Sequence, residues 1–154
     1  MQFDKVHMTS LFENATEGII LTGGTGEIIL VNPAAERIFG YKEEELSGKK
    51  IEVLIPTRFA HGHEGVRGQF YKHPQNRQMG SGRDLYAKRK DGSEFPVEIS
   101  LSFYKENNES FVIAFVVDIT ARKINEINIK EHQEELEKLS TELKMLNNEL
   151  EIKV

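Results

Sequence analysis

Every glycine, proline and aromatic residue of this 154-residue chain lies before Thr120, and the remainder is mostly Glu, Lys, Leu, Asn and Ile. A stretch with no turn formers and no rings to fill a core reads as one uninterrupted helix. The chain therefore divides into a mixed part, residues 1–118, and a helical part, residues 119–154. In the second part Leu136, Leu139, Leu143, Leu146 and Leu150 recur at alternating spacings of three and four, the a/d seam of a heptad repeat. Extended backward, the register puts Ile129 at an a position but His132 and Asn125 at d, so the seam weakens there. Such a seam is narrower than the face of a helix that packs on a globular core, which predicts a dimeric coiled coil rather than a helix folded back on its own domain. Glu135, Glu142 and Glu149 at g face Ser140 and Asn147 at e, so charge pairing leaves parallel and antiparallel arrangements both open.

Before Thr120 the pattern alternates between strands and short helices. Glu17 to Thr22 and Glu27 to Val31 are β-favouring runs separated by Gly23-Gly24-Thr25-Gly26, which predicts a hairpin. A phosphate-binding glycine loop would have to lead into a helix, and here a strand follows. Asn32-Pro33 supplies a cap and a first-turn proline for a helix that Gly40 ends. A helical turn follows at Lys42 to Leu46, then a short apolar segment at Ile51 to Ile55, then a longer helix from Thr57 to Tyr71 carrying His61, His63, Arg67 and Phe70. Asp84 to Lys90, Phe95 to Phe103 and Phe111 to Val117 read as three antiparallel strands, with Asp91-Gly92 as one turn and a polar loop ending at Glu109 as the other. The simplest solution is an α+β fold: a five-stranded antiparallel sheet with short helices on one face, forming a cup that can hold a ligand.

Composition excludes several functions. With 38% apolar and 29% charged residues the chain can bury one core in water, and no run approaches the roughly 20 apolar residues of a membrane span. The N-terminus lacks a charged-then-apolar leader, so a cytoplasmic location is expected. Without cysteine there are no disulfides, thiolate zinc sites, iron–sulfur clusters or cysteinyl photochemistry. A net charge of −5 and the lack of a basic run with interleaved aromatics argue against nucleic acid as a partner.

Four phrases resemble bacterial PAS domains: Leu11 to Ile19, Val31 to Tyr41, Arg89 to Glu98, and Asp118-Ile119-Thr120-Ala121-Arg122-Lys123. The resemblance spans nearly everything before the coil. It implies a sensory or interaction module that passes its ligand or partner state through the Asp118-Ile119-Thr120 junction into a helical connector. The implied partners are a second copy of the chain, held through a parallel coil and the N-terminal helix at about residues 3–14, and a downstream effector such as a histidine kinase. Asp118 or Thr120 can also cap the connector helix, which would couple order in the last strand to order in the coil.

The segment from His63 to Leu101 further resembles, without a gap, the heme-binding PAS domain of FixL-type oxygen-sensor kinases. That resemblance implies heme b, with His63 ligating the iron, Arg83, 20 residues later, reaching the gas ligand from the distal side, Ile99 and Leu101 as distal apolar residues, and Gly80 matching as well. Neutral imidazole is a good iron ligand and a guanidinium a good hydrogen-bond donor to a polarised gas ligand, so the chemistry is coherent. Two positions depart from the family: Gln78 replaces a third distal apolar residue, and Gln69 replaces an arginine that binds a heme propionate. A flavin (FAD or FMN), a small metabolite and a simply packed core remain alternatives, and a helix histidine also serves as an ordinary hydrogen-bonded residue. His61 and His63 point to different sides of a helix and lack a third ligand, so they do not make a zinc site. His7 and His73 read as solvated.

The leading expectation is therefore a signal-input module carrying ligand, redox or gas state to an effector; the alternative is a ligand-free dimerisation scaffold. Catalysis by the chain itself is not expected, because His132 lacks the proline that follows a phospho-accepting histidine and no ATP-binding domain is present. The uncapped finish at Glu151 to Val154 suggests a fragment of a longer protein.

Overall fold

The computed structural model describes residues 4–72, 77–79 and 84–152. The chain forms two compact units, Met1–Ile119 and Thr120–Val154. In the first, helix α1 (Lys5–Asn14) is followed by strands β1 (Gly18–Thr22) and β2 (Ile28–Val31). Helices α2 (Pro33–Phe39) and α3 (Glu43–Leu46), a 3-10 turn at Ile51–Leu54 and helix α4 (Thr57–Lys72) come next, and then strands β3 (Arg77–Met79), β4 (Leu85–Lys88), β5 (Glu94–Glu106) and β6 (Glu109–Asp118). The sheet is antiparallel in the order β2-β1-β6-β5-β3, with β4 also pairing along β5. All five expected strands are present. The short β3 is additional, and it shares one edge of β5 with β4.

The expected polar loop after Phe103 is instead a continuation of the hairpin. β5 and β6 stay paired as far as Glu106 and Glu109, and the chain reverses over Asn107 and Asn108, both at positive φ (52° and 64°). A two-residue turn of that hand matches the twist of the strands, and asparagine tolerates the left-handed region better than most residues. At the other predicted turn, the Asp91 carboxylate is held below the usual range by the Ser93 hydroxyl and then by the Ser93 N–H, both of which donate to it.

Along β1, β5 and β6 alternate residues point inward. Ile20, Ala87, Phe95, Val97, Ala114 and Val116 meet Ile28, Val31, Ala35, Phe39, Leu46 and Leu54 in one core, where Phe39 and Phe95 pack edge to face at 5.6 Å. Asn32 is a fully buried polar residue at the centre of this arrangement. Its Oδ1 accepts from the N–H of Ala35 (3.0 Å), capping α2, and from the N–H of Ile19 (2.8 Å). Its Nδ2 donates to the carbonyls of Phe12 (3.1 Å) and Glu17 (3.0 Å), so one side chain joins the end of α1, the start of β1 and the start of α2. The free side of β2 is covered by the segment after α3, through Ile28 N–H to Lys49 O (2.8 Å) and Gly48 N–H to Ile28 O (2.8 Å), which removes an open sheet edge.

The second unit is a single helix, α5 (Thr120–Ile152). Among its described residues, Leu136, Leu139, Leu143, Leu146 and Leu150 are all exposed in the single chain.

Candidate functional site

Helix α4 presents His63 and Arg67 one turn apart, at a spacing that puts both on the same face. What they meet is Glu52, from the 3-10 turn. An apolar segment stopped by Pro56 is pulled into the core by Leu54, and the intervening carboxylate is carried inward with it. Only 8% of the Glu52 side chain remains exposed. Its Oε1 accepts from Arg67 Nε (2.9 Å) and Nη2 (2.6 Å), while Arg67 Nη1 donates to the carbonyl of Thr25 in the β1–β2 turn (2.5 Å). The other oxygen, Oε2, accepts no hydrogen bond among the described residues and lies 3.8 Å from His63 Nδ1. The Arg67 guanidinium fills the space beside Gly26, where an added Cβ would fall 2.4 Å from it; with φ at +84°, that position suits only glycine. The glycine turn is thus occupied by a protein cation.

Ile99 and Leu101 continue the inward-facing row of Phe95 and Val97 on β5 and are partly buried against the core. Gln69 falls on α4 and Gln78 on β3. Arg83, Gly80 and His73 lie outside the described residues.

A second cluster sits at the junction. Arg89, just after β4, donates from Nη2 to Asp118 Oδ2 (2.8 Å) and from Nε to the carbonyl of Ile38 (3.1 Å), and its guanidinium lies 4.0 Å from the centroid of the Phe95 ring. The N–H of Ile119 donates to Pro96 O (3.1 Å), so backbone pairing with β5 extends one residue beyond β6, up to the residue before Thr120 opens α5. The end of β6 is thereby tied to the α2 helix and to the buried ring of Phe95 through one arginine. Asp118, expected at the junction, pairs there with Arg89, and neither Arg89 nor Glu52 was singled out in the sequence. A carboxylate within the apolar run Ile51-Glu52-Val53-Leu54 was the available signal.

A profile of the PAS domain matches residues 16–121. The chain belongs to the PAS family. This PAS domain is 29% identical over 132 residues to the sensor protein FixL of Bradyrhizobium diazoefficiens, a match covering 86% of this chain and 26% of that protein. It is 30% identical over 115 residues to the oxygen sensor protein DosP of Escherichia coli, covering 75% of this chain and 14% of that one. The chain therefore spans about a quarter or less of the curated relatives it matches, 26% and 14% respectively. Among solved structures, the PAS domain of an HTR-like protein from Haloarcula marismortui superposes with a TM-score of 0.62 at 24% identity, over 74% of this chain and 90% of that one. The fold is the PAS fold, and the module is a sensory input domain of the kind found in sensor-kinase-like proteins. No helix among the described residues is long and apolar enough to cross a membrane.

Proposed function

We propose that this PAS domain senses through heme b held on His63, and that it passes the state of its pocket through Asp118-Ile119-Thr120 to a dimeric coiled coil and an effector, a histidine kinase. The observation that carries the reading is the grip of Arg89 on Asp118 and Phe95. It ties the last residue of β6 to the core two residues before the connector helix begins. In this reading a shift of the inner sheet face is felt at Asp118, and Asp118-Ile119 runs straight into Thr120 with no flexible linker between.

The residues present fit a heme iron. His63 has a buried carboxylate behind its Nδ1, the arrangement that orients a ligating imidazole, and Ile99 and Leu101 add apolar surface on the inner face. The relative DosP, an oxygen sensor protein, supports a gas as the signal. Bound heme would supply an iron that takes a gas ligand. In this reading His63 would hold the iron, Ile99 and Leu101 would keep water from the pocket, and Arg83 would donate to the gas ligand. The seam Leu136 to Leu150 closes against a second copy, and a monomeric mass in sedimentation equilibrium would remove that part of the proposal.

Two measurements test the reading. The chain mixed with hemin is expected to show a Soret band that His63→Ala abolishes; an unchanged band in the variant would refute the ligand assignment. A bare protein spectrum after reconstitution would favour a ligand-free dimerisation module instead, the reading that the exposed leucine seam supports without any ligand. For the junction, Arg89→Ala is expected to speed amide exchange at Ile119, whose N–H pairs with Pro96, while Ile20 in the centre of the sheet keeps its protection. Equal exchange at Ile119 in the two proteins would remove Arg89 from the coupling.

A further inference from the structure

We propose that Glu52 is the positioning residue for His63: its Oε2 accepts the Nδ1–H and so holds the ring in the tautomer that presents Nε2 to iron. The inference rests on the heme reading above and names the group that would tune that site.

Glu52 has one oxygen fully committed and one not. Oε1 takes both donors from Arg67, whereas Oε2, buried from water, accepts no hydrogen bond among the described residues. A buried acceptor left in that condition needs a physical reason, because desolvation is unfavourable unless a donor compensates. His63 Nδ1 stands 3.8 Å away on the α4 turn preceding Arg67, and closure by about 1 Å brings it within hydrogen-bond range. Arg67 matters to this as well. Its guanidinium balances the carboxylate charge, so Oε2 can serve as a plain acceptor for a neutral ring instead of requiring a second cation. Histidines that bind metals commonly donate their other N–H to a carboxylate, which fixes the tautomer and strengthens the ligating nitrogen. The i, i+4 pair on α4 thus lets one buried carboxylate answer two donors, one structural and one at the site.

The test uses the full chain reconstituted with hemin, and the variants Glu52→Gln, Arg67→Gln and His63→Ala. Glu52→Gln keeps the shape and removes the charge. It is expected to release heme at least about tenfold faster, to lower the iron–histidine stretching frequency of the ferrous protein and to move its midpoint potential upward. Arg67→Gln, which removes the balancing cation but leaves the carboxylate acceptor, is expected not to lower the stretching frequency. Identical spectra for Glu52→Gln and wild type, with heme lost in His63→Ala, would overturn the role of Glu52 alone. An equal effect of Glu52→Gln and Arg67→Gln would also overturn it, since Glu52 would then act only through the fold. Retention of the Soret band in His63→Ala would overturn the heme reading itself. A measurement independent of variants and heme is the nitrogen-15 signature of His63 in the apo chain: the Nδ1–H tautomer supports the assignment and the Nε2–H tautomer refutes it.

Discussion

Arg67→Met is expected to lower the unfolding free energy of the domain by about 3 kcal/mol, seen as a lower urea midpoint at constant slope. The loss comes less from the pair itself than from what remains. Glu52 sits with 8% of its side chain exposed, and without Arg67 its carboxylate stays buried with no cation hydrogen-bonded to it. The α4 helix also loses its bond to Thr25 O, which ties it to the β1–β2 turn. The double variant Glu52→Leu with Arg67→Met should recover to within about 1 kcal/mol of wild type, because well-packed apolar groups replace a buried ion pair at little net loss. A single variant that falls by less than about 1 kcal/mol would show that Glu52 finds water once Arg67 is gone.

Asn32→Ala is expected to cost about 4 kcal/mol, since it removes a helix cap and strands backbone groups on three elements at once. The N–H groups of Ile19 and Ala35 lose their acceptor, and the carbonyls of Phe12 and Glu17 lose their donor, at a residue with no exposed surface. Asn32→Asp separates the two halves of this role. The acceptor that caps α2 is kept, while a carboxylate oxygen is turned against the carbonyls of Phe12 and Glu17. Amide exchange should therefore rise in α1 more than in α2. Uniform loosening of both helices by Asn32→Asp would mean that the cap and the tie to α1 cannot be separated at this residue.

Much of this architecture was legible because it rests on local rules. Asn32-Pro33 and Gly40 bounded α2 through cap chemistry and a left-handed terminus, and both ends are where those residues put them. The glycine-rich turn and the alternating runs located the hairpin and the last three strands, while Asn107-Asn108 was read as loop because its turn type depends on a backbone hand that polarity does not disclose. The PAS family itself was visible in four phrases and is matched by the profile over residues 16–121. His63, Ile99 and Leu101 came from the gapless resemblance over residues 63–101, and Asp118 from the last of the four phrases.

What the amino-acid order determined alone was the division at Thr120, the order of strands and helices, and the candidate side chains along them. Capping residues, turn formers and hydrophobic periods act within a few residues and are written in the chain. Only the tertiary structure decided that Glu52 lies between His63 and Arg67, 15 residues before the latter, and that Arg89 reaches Asp118 across 29 residues. Those pairings follow from burial: once Leu54 and Phe95 enter the core, the charged neighbours they carry inward must find partners on whatever element packs over them. No local pattern specifies which element that will be.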